Sequence, residues 1–324
     1  MTFERSRVPI IGVTMGDAAG IGPEIVLKSL AGSLAQDNFK AVIIGDGSHL
    51  RSVAERIGLG NVLENGRVEV ADLANLPAEI VYGVDAAETG KAAAEYIVKA
   101  VEMWRAGEID AIATAPISKK AINLGGYDFP GHTEFLAELT GTQEFAMSFF
   151  AGNLRVALLS THLSLRNAID LVKKDNIVDL TVFAEEQFGR LLGKKVRIAV
   201  AGLNPHASED GMFGTEERDE IAPAVRHCHD ELGLDVSGPY SPDTIFLRCS
   251  KGEFDAVIAL YHDQATIPVK SISFNSGVNV TLGLPLVRTS VDHGTAYEIA
   301  GKGIADSASM SAAINLAAEL VSGS

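Results

Sequence analysis

Three of the chain's eight histidines stand just past apolar, strand-like runs. Residues 154–160 (LRVALLS) lead to His162, residues 196–203 (VRIAVAGL) to Asn204, Pro205 and His206, and residues 254–261 (FDAVIALY) run straight into His262 and Asp263. In an α/β protein, ligands bind outside the carboxyl ends of parallel strands. Imidazoles delivered there from separate strands can converge on one divalent cation. A single histidine after a strand is usually a satisfied polar residue, and three at equivalent positions are either separate satisfied side chains or the ligands of one metal. An all-imidazole triad leaves coordination positions open for substrate oxygens, as catalytic rather than structural sites do. Such ligands favour Zn²⁺, Co²⁺ or a similar ion over Mg²⁺. His227 and His229 are only two residues apart, so on a helix they do not face each other and read as surface side chains. His49 reads as structural.

Three further groups could bind anions. The loop Gly16-Asp17-Ala18-Ala19-Gly20-Ile21-Gly22 lies between a strand and a helix start marked by Pro23. It is either an anion site built from open amides or a tight turn that needs small residues. Its G-x3-G-x-G spacing is not the Rossmann fingerprint. Pro130-Gly131-His132-Thr133-Glu134 is a loop-to-helix junction. There Thr133 is either an N-cap or, with His132, a substrate contact. Lys270, Asn279 and Arg288 offer an ammonium, an amide and a guanidinium, which suit phosphate or carboxylate unless they are ordinary surface polarity.

The elements that must position these residues alternate. Strands are expected near 8–13, 41–45, 109–114, 146–150, 154–160, 196–200 and 256–261. Helices are expected over 24–31, from just after 46–48 through 56, and over 89–105, 134–139, 172–192, 216–231 and 305–321. This rhythm implies βαβ units and a mainly parallel sheet. With 324 residues, 47% hydrophobic and 6% aromatic, the composition suits a large α/β enzyme and excludes a disordered chain. The net charge of −15 argues against nucleic acid as a partner. The two cysteines, Cys228 and Cys249, fit no metal or redox spacing and read as reduced thiols. With no apolar leader and no run long enough to span a bilayer, a soluble cytoplasmic protein without membrane contact is expected.

Taken together, GVTMGDAAGIGPEI, PGHTEFLAELTG, STHLSLRNAI, NPHASEDGMFGTEE, YHDQATIPVK and GVNVTLGLPLVRTSVDHGTAYEIAGKGIAD resemble the 4-hydroxythreonine-4-phosphate dehydrogenase family over essentially the whole chain. The first and last also resemble the ends of isocitrate and isopropylmalate dehydrogenases. The resemblance implies two α/β domains around a central cleft, not a Rossmann domain. It places the first domain at 1–127 with 272–324, and the second, with the dimer interface, at 128–271. It further implies a homodimer with a shared active site and a divalent metal (Zn, Co or Mg) on His162, His206 and His262. Substrate contacts would fall on His132, Thr133, Lys270, Asn279 and Arg288, of which Lys270 and His132 would be catalytic. His293, Gly294, Thr295 and Ala296 would form part of the NAD or NADP site.

The implied reaction is oxidation of a small phosphorylated β-hydroxy acid, followed by decarboxylation of the β-keto product. Departures from the family pattern fall at Ser208-Glu209-Asp210 and Ala265-Thr266, where glycine is commoner. Relatives acting on D-threonate or D-erythronate 4-phosphate resemble the chain about as well, and those acting on an aromatic dihydrodiol dicarboxylate less so. A metal-dependent phosphate-ester hydrolase or phosphotransferase is the alternative from another class.

Overall fold

A computed structural model describes residues 8–33, 38–273 and 277–323. The chain opens with β1 (Ile10–Thr14), α1 (Gly22–Ser33), β2 (Lys40–Gly45), α2 (Gly47–Arg56), α3 (Gly60–Leu63) and β3 (Val68–Asp72). It continues through α4 (Ala87–Arg105), β4 (Ala111–Thr114), α5 (Lys119–Leu124) and α6 (His132–Thr140). Next come β5 (Ala146–Ala151), β6 (Leu154–Leu158), α7 (Leu165–Asp170), α8 (Lys174–Leu192) and β7 (Ile198–Ala201). Glu217–Ile221, α9 (Ala222–Arg226) and His227–Glu231 run on as one helix whose first and last turns are of π type. The chain closes with β8 (Val236–Tyr240), α10 (Ile245–Ser250), β9 (Ala256–Ala259), α11 (His262–Ile272), β10 (Val278–Leu282), β11 (Val287–Ser290) and α12 (Ala308–Ser322).

The protein divides into two compact units, Met1–Phe145 with Leu284–Ser324, and Ala146–Gly283. In the first, the strands lie in the order β3-β2-β1-β4-β11 and pair in parallel. β1, β2 and β4 are almost wholly buried, and their near-continuous apolar runs are what a sheet covered on both faces requires. α12 packs on α1, β4 and β11. α4 and α5 touch backbone to backbone: a Cβ on Gly90 would sit 1.9 Å from the Ala121 carbonyl oxygen.

In the second unit the order is β10-β5-β6-β9-β7-β8. β6, β9, β7 and β8 are parallel, as expected, while β10, β5 and β6 are antiparallel. The antiparallel turn follows from Gly152-Asn153, two residues between β5 and β6 with Gly152 at φ +58°, a hairpin geometry that forces the chain back on itself.

The helix expected over 172–192 is preceded by a separate short one, α7, whose first turn is capped by the Ser164 hydroxyl accepting from Asn167 N–H. The divide between units also falls elsewhere than the resemblance implies. Phe135 and Leu136 of α6 join the core of the first unit, and β10 pairs with β5 in the second. Residues 128–145, 272–273 and 277–283 are therefore on the opposite side of the divide. Cys228 and Cys249 are buried, unpaired thiols. Among the described residues no helix is long and apolar enough to cross a membrane.

Substituting Gly90→Ala should lower the unfolding free energy by about 1–3 kcal/mol, because α4 and α5 must separate to admit a methyl group. Urea titration followed by circular dichroism measures this, and an unchanged midpoint would contradict the close approach.

Candidate active site

β6, β9 and β7 are parallel neighbours, so the segments that leave their carboxyl ends leave one edge. These segments carry His162, His262 and His206. His262 is the first residue of α11, and its ring centre lies 5.8 Å from that of His162. With metal–nitrogen bonds of about 2.1 Å, each ring centre would stand roughly 3.2 Å from an ion, so this spacing fits two imidazoles on one cation. Nδ1 of His262 is 2.9 Å from Oδ1 of Asp263, the kind of carboxylate contact that fixes a ligand ring and its tautomer. His206 is exposed on the 3-10 turn Pro205–Ser208, with Nδ1 3.7 Å from Oδ2 of Asp243. Among the described residues no three histidine, cysteine or acidic side chains form a complete ligand set. The ring contact brings His162 and His262 together.

The three strand ends are laced together by buried side chains. Ser160 Oγ donates to the Leu260 carbonyl at 3.0 Å, and Leu260 N–H donates to Gln264 Oε1 at 2.7 Å. Gln264 Nε2 donates in turn to the Gly202 carbonyl at 2.7 Å. Beyond Gly202, the N–H groups of Leu203 and Asn204 both donate to Oε1 of the buried Glu217 at 2.7 Å. His206, Ala207, Ser208, Glu209 and Asp210 then have φ of 55°, 52°, 67°, 45° and 54°. This is the left-handed region, which costs an L-residue roughly 1–2 kcal/mol and glycine almost nothing. The departure Ser208-Glu209-Asp210 therefore places side chains on backbone shaped for glycine.

In the first unit, Arg288 on β11 is buried, and its Nε and Nη2 donate to Thr114 Oγ1 at 3.2 and 2.8 Å. Burial pulls the guanidinium down to about 10, against the pull of Glu134's negative charge. A cation disfavoured to that degree suits an anionic ligand. His132 is the first residue of α6, and Gly131, not Thr133, occupies the cap position. The buried Nε2 of His132 has no hydrogen-bond partner, and burial, then the charge of Arg288, holds the ring well below the usual histidine range. His132 is therefore a neutral imidazole near an arginine. In the second unit, Asn279 on β10 has a buried Oδ1 without a partner, and Lys270 is exposed in the last turn of α11.

The glycine loop is closed. Its residues are buried, and a Cβ on Gly20 would meet Thr295 at 3.0 Å. Ile21 N–H donates to the Thr295 carbonyl at 3.0 Å. This burial and close packing favour the tight-turn reading, and the N–H groups of Asp17, Ala19, Gly20 and Ile21 are already bonded within the protein. His293 and Gly294 are exposed beside it, and Thr295 and Ala296 half-buried, with Ala296 at φ +43°.

The sequence profile of the family described as pyridoxal phosphate biosynthetic protein PdxA matches residues 36–317. The chain belongs to the PdxA family. Over 326 residues it is 44% identical to a D-threonate 4-phosphate dehydrogenase from Cupriavidus necator, covering 97% of each protein. It is 42% identical to a 4-hydroxythreonine-4-phosphate dehydrogenase from Desulfosudis oleivorans, covering 95% of each. A solved 4-hydroxythreonine-4-phosphate dehydrogenase from Klebsiella pneumoniae superposes with a TM-score of 0.86 at 41% identity, over 97% of this chain and 99% of the other.

Within this PdxA chain, sequence reading passed over Thr114, Ser160, Glu217 and Gln264. Thr114 ends an apolar strand and Gln264 follows His262 by two residues, but neither residue type signals a buried bridge.

Gln264→Leu should strip the Leu260 amide and the Gly202 carbonyl of their partners and lower stability by about 2–4 kcal/mol. Hydrogen exchange at Leu260 N–H should accelerate accordingly. Asp210→Gly should raise stability by about 0.5–1 kcal/mol by relieving left-handed backbone at an exposed position, which a urea midpoint checks.

Proposed function

We propose that the protein oxidises the hydroxyl β to the carboxylate of a small phosphorylated acid with NAD or NADP, and that the β-keto acid so formed loses CO₂. The observation that carries the reading is identity of 42–44%, across almost the full chain, to enzymes named for oxidising such acids. 4-Hydroxythreonine 4-phosphate and D-threonate 4-phosphate share that hydroxyl and differ at the neighbouring carbon, which bears an amino group in the first and a hydroxyl in the second. The type reaction is that of 4-hydroxythreonine-4-phosphate dehydrogenase. The second reading, D-threonate 4-phosphate, is favoured by the 44% relative.

His162, His206 and His262 are the proposed ligands of a divalent cation such as Zn²⁺, Co²⁺ or Mg²⁺, with the set completed in a homodimer. Supporting the dimer, every histidine-bearing segment also carries exposed large apolar residues. These are Leu163 and Leu165 after His162, Met212 and Phe213 after His206, and Ile267 and Ile272 on α11. Such surface is costly to leave in water. When bound, the cation would supply Lewis acidity at the hydroxyl oxygen, and the nicotinamide a hydride acceptor.

The chain's own residues do the rest. Arg288, backed by Thr114, binds an anionic group of the substrate, and His132 donates one N–H to the phosphate with Thr133 beside it. The buried acceptor of Asn279 suits hydroxyl or amino hydrogens. Lys270 anchors the anionic substrate and relays the proton leaving its hydroxyl. His293, Gly294, Thr295 and Ala296 are assigned to the nucleotide. Residence in the cytoplasm belongs to the same proposal, supported by the unpaired thiols Cys228 and Cys249.

The test is a panel of four-carbon acid phosphates with NAD⁺ or NADP⁺ and several divalent ions, scored for nucleotide reduction, CO₂ and inorganic phosphate. Nucleotide reduction with matching CO₂ is expected. Phosphate release without reduction would mark a hydrolase instead. His162→Ala should lose bound metal by elemental analysis and lower turnover at least 10³-fold, roughly the scale of losing a charge-stabilising group.

A further inference from the structure

The closed glycine loop is fastened by ionisable groups that the reaction above leaves unused. Asp17 is fully buried, and its Oδ1 accepts from Ala19 N–H at 2.9 Å. Its Oδ2 lies 2.6 Å from the Tyr297 hydroxyl oxygen, which also lies 3.1 Å from Oδ1 of Asp85. That same Asp85 oxygen is in hydrogen-bond contact with the Ser118 hydroxyl, whose oxygen accepts from Ala121 N–H. The Lys120 ammonium stands 3.3 Å from the other Asp85 oxygen.

The protons can be counted. Three oxygen–oxygen contacts of 3.1 Å or less link Asp17 to Tyr297, Tyr297 to Asp85 and Asp85 to Ser118, and each needs a hydrogen; Ser118 also interacts with Tyr297. A phenol supplies one, a serine hydroxyl one, and an ionised carboxylate none. With both aspartates ionised, Tyr297 would serve one and turn a lone pair on the other. The third proton belongs on a carboxyl. Asp85 is the poorer holder: the Ser118 hydroxyl, then Tyr297 and Lys120, keep it below the usual carboxylate range. Asp17 is the better one. Burial raises it, the charge of Asp85 adds to this, and bonds from Tyr297, Ala19 and Thr89 only partly oppose it.

We propose that the Asp17 carboxyl is protonated at neutral pH and donates to Tyr297, which donates to Asp85, so that Asp17 and Tyr297 are positioning residues for the segment holding His293, Gly294, Thr295 and Ala296. The backbone transmits any shift, because Ile21 N–H is bonded to the Thr295 carbonyl and a Cβ on Gly83 would lie 2.8 Å from the Tyr297 carbonyl oxygen. The groups that face Asp17 are Tyr297, Thr89 on α4, Asp85 ahead of it and, through Asp85, Ser118 and Lys120 at the start of α5, with the buried Tyr96 of α4 feeling its charge. The sign is that of a raised carboxyl. The latch holds below the folded-state pKa of Asp17 and opens as pH climbs through it, when two anions compete for one phenolic proton. The nucleotide consequence rests on the assignment of 293–296 made above; the proton does not.

Infrared difference spectra of the wild type against Asp17→Asn test the proton directly. A protonated-carboxyl C=O band should be present at neutral pH in the wild type, vanish on alkaline titration, and be missing from the variant. Absence of the band overturns the proposal. Calorimetric titration with NAD⁺ across the same pH range tests the positioning. Wild-type affinity should fall at least tenfold as the band disappears, roughly the worth of a hydrogen bond to a charged group. Asp17→Asn, a neutral isostere, should show no such fall, and Tyr297→Phe should bind roughly tenfold more weakly at neutral pH. A variant that titrates like the wild type, or Tyr297→Phe with unchanged affinity, overturns the positioning role. If the wild type binds no NAD⁺ or NADP⁺ at any pH, the assignment of 293–296 fails, while the infrared band still decides the proton.

Discussion

A peptide group leaving the end of a buried strand loses the neighbour that satisfied it, and without water it must find another partner or cost about 1–3 kcal/mol. In the second unit Ser160, Gln264 and Glu217 meet that need for Leu260, Gly202, Leu203 and Asn204. His162 and His206 follow these strand ends on loops, and His262 follows as the first residue of α11. In the first unit a loop ahead of α12 is satisfied in the same way by side chains at the start of α1. Glu24 accepts from Gly303 N–H and Ala305 N–H, and Lys28 Nζ donates to both carbonyls. At both places buried side chains supply the partners that the backbone lacks.

Charge is handled by the same economy of partners. A chain with a formal charge of −15 repels anions on average, so any anionic ligand depends on local positive charge held out of water. Arg288 holds such a charge within the sheet, and burial, with the charge of Arg288 adding to it, keeps the imidazole of His132 neutral. A neutral His132 offers a hydrogen bond without adding a second buried cation. Asp255 shows the opposite solution: Arg197 and Lys194 surround it, bonding overcomes its burial, and its carboxyl is held far below the usual range.

What could be read from sequence divides along physical lines. Apolar runs at β1, β2, β4, β6, β7 and β9 are visible because parallel, doubly covered strands admit little else. The helix nuclei of α1, α4, α6 and α8 follow from periodicity, with α4 running Ala87–Arg105 against an expected 89–105. The positions of the histidines after their strands were legible for the same reason. β3, β8, β10 and β11 were not, being short or polar, and β8 contains Gly238 and Pro239. The hairpin at Gly152-Asn153 was written in the sequence and overlooked. The buried bridges of Gln264, Glu217 and Asp17 could not be found, because a polar side chain acquires such a role only through contacts distant in sequence. The left-handed backbone of Ser208-Glu209-Asp210 could not be foreseen, because these residues do not ordinarily adopt it.

The discontinuous first unit has a consequence for biosynthesis. β11 and α12 complete a sheet and a core that β1 to β4 begin, yet the whole of Ala146–Gly283 is translated in between. At about 5–20 residues per second the ribosome needs roughly 7–28 s to traverse that stretch. Throughout that interval β4 has an edge without β11, and α1 lacks the cover of α12. The inserted unit has its full sequence first and can close first, leaving the nascent amino-terminal layer as the part most in need of chaperone protection.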